Sequence, residues 1–356
     1  MSLKFSHETL GQRVLFGTKQ ASQYLIAEIM RLEAQNVMVI ASNSGLFSAQ
    51  EIAADIDVKV WHSNVKMHVP METAIEARAI AVDNDIDVIV SVGGGSAVGL
   101  AKAIALTTSI PIIAIPTTYA GSEATNVWGI TESARKTTGV DNKVVPTTVI
   151  YDSSLTMSLP VEMSVASGLN GMAHCIDSLW APHADPINAL MAAEGIRALS
   201  AGLPKIVADP QDISGRDEVL YGAYFAAVSF ASAGSGLHHK ICHVLGGTFN
   251  LPHAQTHATV LPYVLAFNAP FAPDAEQRTA AAFGTDTALE GLQKLRAQVG
   301  APQRLSDYGF TEEGIPEAVS IILEKLPAHN PREITEENLT ALLVAALNGN
   351  DPATLN

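Results

Sequence analysis

Residues 86–106 read IDVIVSVGGGSAVGLAKAIAL, and the order of their chemistry decides the fold. A β-branched apolar run, 86–92, comes first. Gly93, Gly94, Gly95 and Ser96 follow, and then an Ala-rich stretch with helical spacing over 96–107. A buried strand that turns through glycines into a helix opens a nucleotide-type α/β domain. Without Cβ atoms the three glycines let backbone N–H groups approach a phosphate. The helix N-terminus adds partial positive charge there. Ser96 is expected to cap the helix. The spacing is not G-x-G-x-x-G, because Val98 stands at the third glycine, and it carries no Walker lysine. A tight turn that binds nothing would also read this way.

Working outward, strand-like runs at 37–42 (VMVIAS) and 111–115 alternate with helical spacing at 18–34, 46–56 and 71–83. That alternation predicts a parallel sheet covered on both faces. Residues 127–150 predict a β-hairpin and a closing strand, with a polar turn around Glu132–Lys136. Ser42 and Asn43 follow the 37–42 run, where an Asp or Glu would grip an adenosine ribose; without one, weak preference between NADH and NADPH is expected. Residues 116–125 (PTTYAGSEAT) put Thr117, Thr118, Tyr119 and Ser122 at the carboxyl edge of the sheet, suited to a nicotinamide and its ribose. After about residue 151 the pattern changes. Helical runs punctuated by Pro and Gly occupy 161–180, 186–207, 215–233, 236–246, 275–299, 311–325 and 335–348. The predicted architecture is an α/β dinucleotide-binding domain (1–155) followed by an all-helical domain (156–356), with the site in a cleft between them.

Composition narrows the partners. The chain has 356 residues, 47% of them apolar and 16% charged, which suits two well-buried domains. A formal charge of -15 argues against nucleic acid and anionic membranes. No run is long enough to span a membrane or act as a signal, and the two cysteines, Cys175 and Cys242, read as small buried hydrophobes. A cytoplasmic protein is expected.

Residues 236–257 (GLHHKICHVLGGTFNLPHAQTH) hold five of the eleven histidines. His239 and His243 are four apart on one helix face, with Gly246-Gly247 expected to end that helix. His253 is expected in a loop after Pro252. Upstream, Asn170 and His174 form a second four-residue pair. Together these could surround a divalent metal. Yet Asn170 offers a neutral amide where a hard ion would want a carboxylate. The same imidazoles without an ion suit a carboxylate substrate. His238 and His257 are read as bystanders.

The segments GGGSAVGLAKAIAL, PTTYAGSEAT, GLNGMAHCID and GLHHKICHVLGGTFNLPHA, in that order, resemble the iron-containing alcohol dehydrogenase family over essentially the whole chain. TYAGSE, KTTG at 136–139, GLNGMAHCIDSLWAP and GLHHKICHVLGG resemble its maleylacetate reductase branch. The resemblance implies an NAD(P)H-dependent oxidoreductase, commonly a homodimer, that reduces maleylacetate to 3-oxoadipate in aromatic-compound catabolism. It carries the family's metal-ligand positions onto Asn170, His174, His239 and His253, and a catalytic histidine onto His243. Three departures put a metal in doubt: Asn170 for the usual Asp, Gly99 for an Asp after the GGGS turn, and a threonine loop one residue short. No metal is therefore expected, and the branch is regarded as metal-independent. In the implied reaction, His243 and His253 would supply hydrogen-bond donors or the proton. His174 and His239 would hold a carboxylate, with Asn170 and Tyr119 beside the substrate. Three other readings stand: a metal-dependent alcohol or polyol dehydrogenase, a non-catalytic nucleotide-binding protein, and a lyase or cyclase using nicotinamide transiently.

Overall fold

The computed structural model describes residues 4–132 and 135–355. They form two compact units, residues 9–159 and residues 160–355 with residues 4–8. The first unit runs slightly beyond residue 155, because the last turn before the helical unit is tied back into it. The Thr18 and Ser153 hydroxyls are 3.0 Å apart, and the Tyr119 hydroxyl donates to Thr156 Oγ1 at 3.1 Å.

In the first unit the elements are β1 (Arg13–Phe16), α1 (Ala21–Arg31), β2 (Val37–Ile40), α2 (Leu46–Ile52), β3 (Val58–His62), α3 (Met71–Asp83), β4 (Val88–Gly93), α4 (Gly95–Thr108), β5 (Ile112–Pro116), β6 (Val127–Glu132), β7 (Arg135–Val140) and β8 (Thr148–Tyr151). Six strands form one parallel sheet in the order β1-β8-β5-β4-β2-β3. β6 and β7 pair as the expected antiparallel hairpin; its tip, 133–134, lies outside the described residues. The buried strands show the period of two. Met38, Ile40, Ile89 and Ile112 pack with α3 and α4, while Val37, Val39, Val88, Val90, Ile113 and Ile115 pack with α1 and α2. β2 connects to β3 on one side and β4 to β5 on the other. The crevice at that change of direction is where open α/β sheets bind ligands.

The helical unit comprises α5 (Val161–Ser178), α6 (Pro186–Ala208), α7 (Ile213–Ala233), α8 (Leu237–Phe249), α9 (His253–Asn268), α10 (Pro273–Phe283), α11 (Ala288–Gln298), α12 (Ile315–Glu324) and α13 (Glu336–Asn348). Every residue of α5 from Ser164 to Ser178 is buried. α6 approaches it so closely that a Cβ on Gly195 would stand 2.5 Å from Cys175 Sγ. A second core joins α8, α9, α12 and α13. No helix among the described residues is long and apolar enough to cross a membrane.

Three expectations about this unit change. α8 runs through Gly246 and Gly247 to Phe249, and Asn250 ends it in the left-handed conformation at φ 56°. The span read as one helix at 275–299 is two, α10 and α11, parted after Gly284 at φ 71°. His253 is not in a loop but is the first residue of α9. α9 carries Pro262 in its interior and is buried on every face from Thr256 to Asn268. Proline gives no N–H to the carbonyl four residues back. That carbonyl, Ala258 O, instead accepts from Nη1 of the buried Arg296, whose Nη2 donates to Pro302 O at 2.6 Å.

Candidate active site

The first-unit residues expected to hold the cofactor stand at or after the ends of β2, β4 and β5. Gly93 ends β4 at φ +149°, a conformation that favours glycine. A Cβ on Gly94 would stand 2.9 Å from Thr118 Cγ2, so the backbone of one loop lies against the side chain of the other. Gly94, not Ser96, is the N-cap of α4, and no side chain caps it; Ser96 sits inside the first turn. Ser42 follows β2 with its hydroxyl 3.0 Å from that of Ser44, and Asn43 is exposed. Thr117 and Thr118 are half-buried after β5, and Ser122 begins a short 3-10 turn.

Tyr119, expected beside the substrate, lies in the loop after β5. It is buried with its hydroxyl committed to Thr156, so it anchors the loop. The loop's underside holds a further buried network. Lys102 Nζ donates to Thr125 O at 2.8 Å, Thr125 Oγ1 at 3.1 Å and Val127 O at 2.8 Å. Burial lowers its pKa to about 7. Burial likewise raises that of Glu123, which accepts from the Tyr151 hydroxyl at 2.9 Å.

In the helical unit the imidazoles gather from three helices. α5 presents Asn170, His174 and Asp177 at four- and three-residue intervals, hence on one face. α8 presents His239 and His243, and α9 presents His253 and His257. The His174 and His239 rings stack at 5.0 Å, and Phe230 of α7 lies 4.7 Å from the first and 4.4 Å from the second. His239 is 6.1 Å from His243, and His253 is 4.4 Å from His257. Depth divides them: His174 and His239 are buried, while His243 and His253 are exposed. Burial first, then the neighbouring imidazoles, holds His174 and His239 well below the ordinary histidine range.

Asp177 and Phe230 escaped the sequence reading. Asp177 Oδ2 accepts from Gly236 N at 2.8 Å and lies 2.7 Å from His239 Nδ1, and Oδ1 accepts from Trp180 Nε1 at 3.2 Å. Burial raises its pKa, against these donors and His238. The signal for Asp177 was present: it continues the stripe of Asn170 and His174 by one more turn. Phe230 left none, being an ordinary apolar position of a helix.

His238 and His257, set apart from the other imidazoles in the sequence reading, face each other. They form a buried pair, Nε2 to Nδ1 at 2.9 Å, with Cys242 Sγ 3.6 Å from His238 Nε2. Among the described residues, these are the only three His, Cys, Asp or Glu groups whose ligand atoms all lie within 4.8 Å of one another. A nitrogen separation of 2.9 Å is hydrogen-bond length, and burial holds the Cys242 thiol far up, in its protonated form. The two rings are thus close enough for a direct hydrogen bond. Among the described residues, Asn170 Oδ1, His174 Nδ1, His239 Nε2, His238 Nδ1 and His257 Nε2 are buried with no hydrogen-bond partner.

Two family models match the chain. Iron-containing alcohol dehydrogenase covers residues 11–153, and the C-terminal part of the Fe-containing alcohol dehydrogenase family covers residues 164–347. A maleylacetate reductase of Sphingobium indicum is 44% identical over 354 residues, covering 99% of this chain and 100% of that one. An iron-containing alcohol dehydrogenase from Corynebacterium glutamicum has a solved structure that superposes with a TM-score of 0.99 at 71% identity, over 100% of both chains. The solved maleylacetate reductase of a Rhizobium strain superposes with a TM-score of 0.93 at 39% identity, over 98% and 99%.

Proposed function

The chain belongs to the iron-containing alcohol dehydrogenase family, a family of oxidoreductases, and from that premise we propose that it reduces the carbon–carbon double bond of maleylacetate to give 3-oxoadipate. NADH or NADPH supplies the hydride, held by Gly93, Gly94, Gly95, Ser96, Thr117, Thr118, Ser122, Ser42 and Asn43. Hydride enters the alkene carbon beta to the ketone. The electron pair moves onto the ketone oxygen as an enolate, and a proton then adds to the other alkene carbon. The balance is maleylacetate, NAD(P)H and one proton in, 3-oxoadipate and NAD(P)⁺ out.

One observation carries this reading: among the described residues, the buried atoms Asn170 Oδ1, His174 Nδ1 and His239 Nε2 have no hydrogen-bond partner, and the two rings stack at 5.0 Å. Buried polar atoms are almost always hydrogen-bonded, so these await a ligand. Neutral in the empty site, the His239 ring, with Nδ1 2.7 Å from the Asp177 carboxylate, would take up a proton at Nε2 as a substrate carboxylate enters. His174 and His239 thus hold a substrate carboxylate at depth. The exposed His243 and His253 exchange protons with water and serve the enolate and the incoming proton.

The family's iron does not suit these residues. Its ligand positions here offer three imidazoles and an amide, with no carboxylate. Donors around one ion lie roughly 3–4 Å apart, yet His174, His239 and His253 are not among the residues that meet even a 4.8 Å spacing. The nearby carboxylate of Asp177 is committed to three N–H groups. The reduction is therefore read as metal-independent, and a homodimer is the assembly expected with it.

The test is to mix metal-depleted protein with maleylacetate and NADH and follow nicotinamide absorbance. Stoichiometric oxidation of NADH supports the reading. Turnover only after iron or zinc is restored, or only with a simple aldehyde or ketone, replaces it with a metal-dependent alcohol dehydrogenase. No turnover with any of these leaves a nucleotide-binding protein. His243→Ala should lower kcat by about 100-fold or more while NADH affinity changes by less than about twofold.

A further inference from the structure

We propose that Asp177 is a positioning residue: it locks His239 in the Nδ1–H form, so that the ring presents its bare Nε2 to the substrate. The inference deepens the reading above and rests on it only for the identity of that substrate.

The argument begins from the donors whose protonation is not in question. A backbone amide and an indole nitrogen can only donate. Gly236 N–H takes Oδ2 and Trp180 Nε1–H takes Oδ1, so both oxygens of Asp177 already act as acceptors. His239 Nδ1 shares Oδ2 at 2.7 Å and is the third donor. Two fixed donors on its two oxygens favour Asp177 as the carboxylate, which puts the shared proton on Nδ1 and leaves Nε2 with a lone pair. Gly236 is also the N-cap of α8, whose N-terminal partial charge favours a carboxylate at this place. The cap is a glycine because a Cβ there would overlap the Asp177 carboxyl.

The ring cannot turn to exchange its nitrogens. Phe230 and His174 lie 4.4 Å and 5.0 Å from it, and His238 and His257 lie 5.2 Å and 5.1 Å away. Nε2 is buried and, among the described residues, without a partner, on a ring stacked against that of His174. The helix that offers Asn170 and His174 thus also offers the group that aims the ring facing them. An amide cannot replace this carboxylate. Asparagine would point an NH₂ at either the Gly236 or the Trp180 N–H, whichever way it turned.

Nitrogen-15 spectra of the wild-type protein, with His239 assigned by its loss in His239→Gln, read the tautomer directly. A protonated Nδ1 and a pyridine-type Nε2 are expected; the reverse assignment overturns the proposal. Asp177→Asn should lower kcat by about 100- to 10,000-fold while the NADH dissociation constant moves less than about twofold. In the His239→Gln background the same substitution should cost less than about twofold, since its target is gone. Equal losses in both backgrounds would reduce Asp177 to a structural support. If Asp177→Asn does not fold, the wild-type spectrum still decides. If wild type fails to reduce maleylacetate, the substrate reading falls and the tautomer stands on its own.

Discussion

At the scale of single residues, chemistry that repeats along a helix was legible and chemistry that reaches across helices was not. Asn170, His174, His239 and His243 could be paired from their four-residue spacing, because a helix face is a property of sequence. Nothing in the spacing says that Asp177 receives His239 from another helix, or that Tyr119 turns inward toward Thr156. Lys102 is a similar case. In the sequence it is one cation in an Ala-rich helix; in the fold it is a buried amine strapping down residues 125–127. Its pKa falls from 10.5 to about 7. Below pH 7 the amine is charged in folded and unfolded chains alike, and the folded chain bears the full cost of burying it. Between about pH 7 and 10.5 the unfolded chain binds the extra proton, so stability rises with pH across that window. Lys102→Met should abolish that rise. In urea unfolding at pH 7 and 9.5, the wild-type stability relative to the variant should grow by about 3 kcal/mol. An unchanged difference would mean the amine is not titrating there.

At the scale of elements, the parallel strands and most helices were legible because apolar periodicity and glycine punctuation survive in a single sequence. α9 was not. It is apolar on all sides, so it has no stripe, and Pro262 reads as a stop. The short strands β1 and β3 were missed as well, being edge strands with exposed positions. What lets α9 continue through its proline is a distant side chain, Arg296, supplying the donor that residue 262 lacks. Arg296→Met should therefore destabilise the helical unit by about 2–3 kcal/mol, the cost of a buried carbonyl left alone. Pro262→Ala restores a backbone N–H for Ala258 O. In that background the same Arg296 change should cost about 1 kcal/mol less, a coupling that thermal or urea unfolding of the four proteins would reveal.

At the scale of the whole molecule, a net charge of -15 set limits on partners without identifying one, because a dianion can be held in an acidic protein by a local group of imidazoles. That group, not the composition, carries the prediction about metals. Treatment with a strong chelator should leave maleylacetate turnover within about twofold of the untreated protein. Asn170→Asp, by adding the missing carboxylate, should raise bound zinc measured by elemental analysis from a trace toward one per chain. Zinc unchanged in the variant would mean that the donors are too far apart for a single substitution to recruit an ion. The division of the chain has a further consequence. Residues 4–8 belong with residues 160–355, and His7 Nδ1 lies 2.8 Å from Asp185 Oδ2, 178 positions along the chain. During synthesis the sheet-bearing segment is complete as it leaves the ribosome. Residues 4–8 must stay undocked until Asp185 emerges, and the rest of their unit takes on the order of 10–40 s to translate after residue 159. A nascent chain stalled between those points would carry a finished parallel sheet and an undocked segment ahead of it, open to proteolysis until the helices arrive.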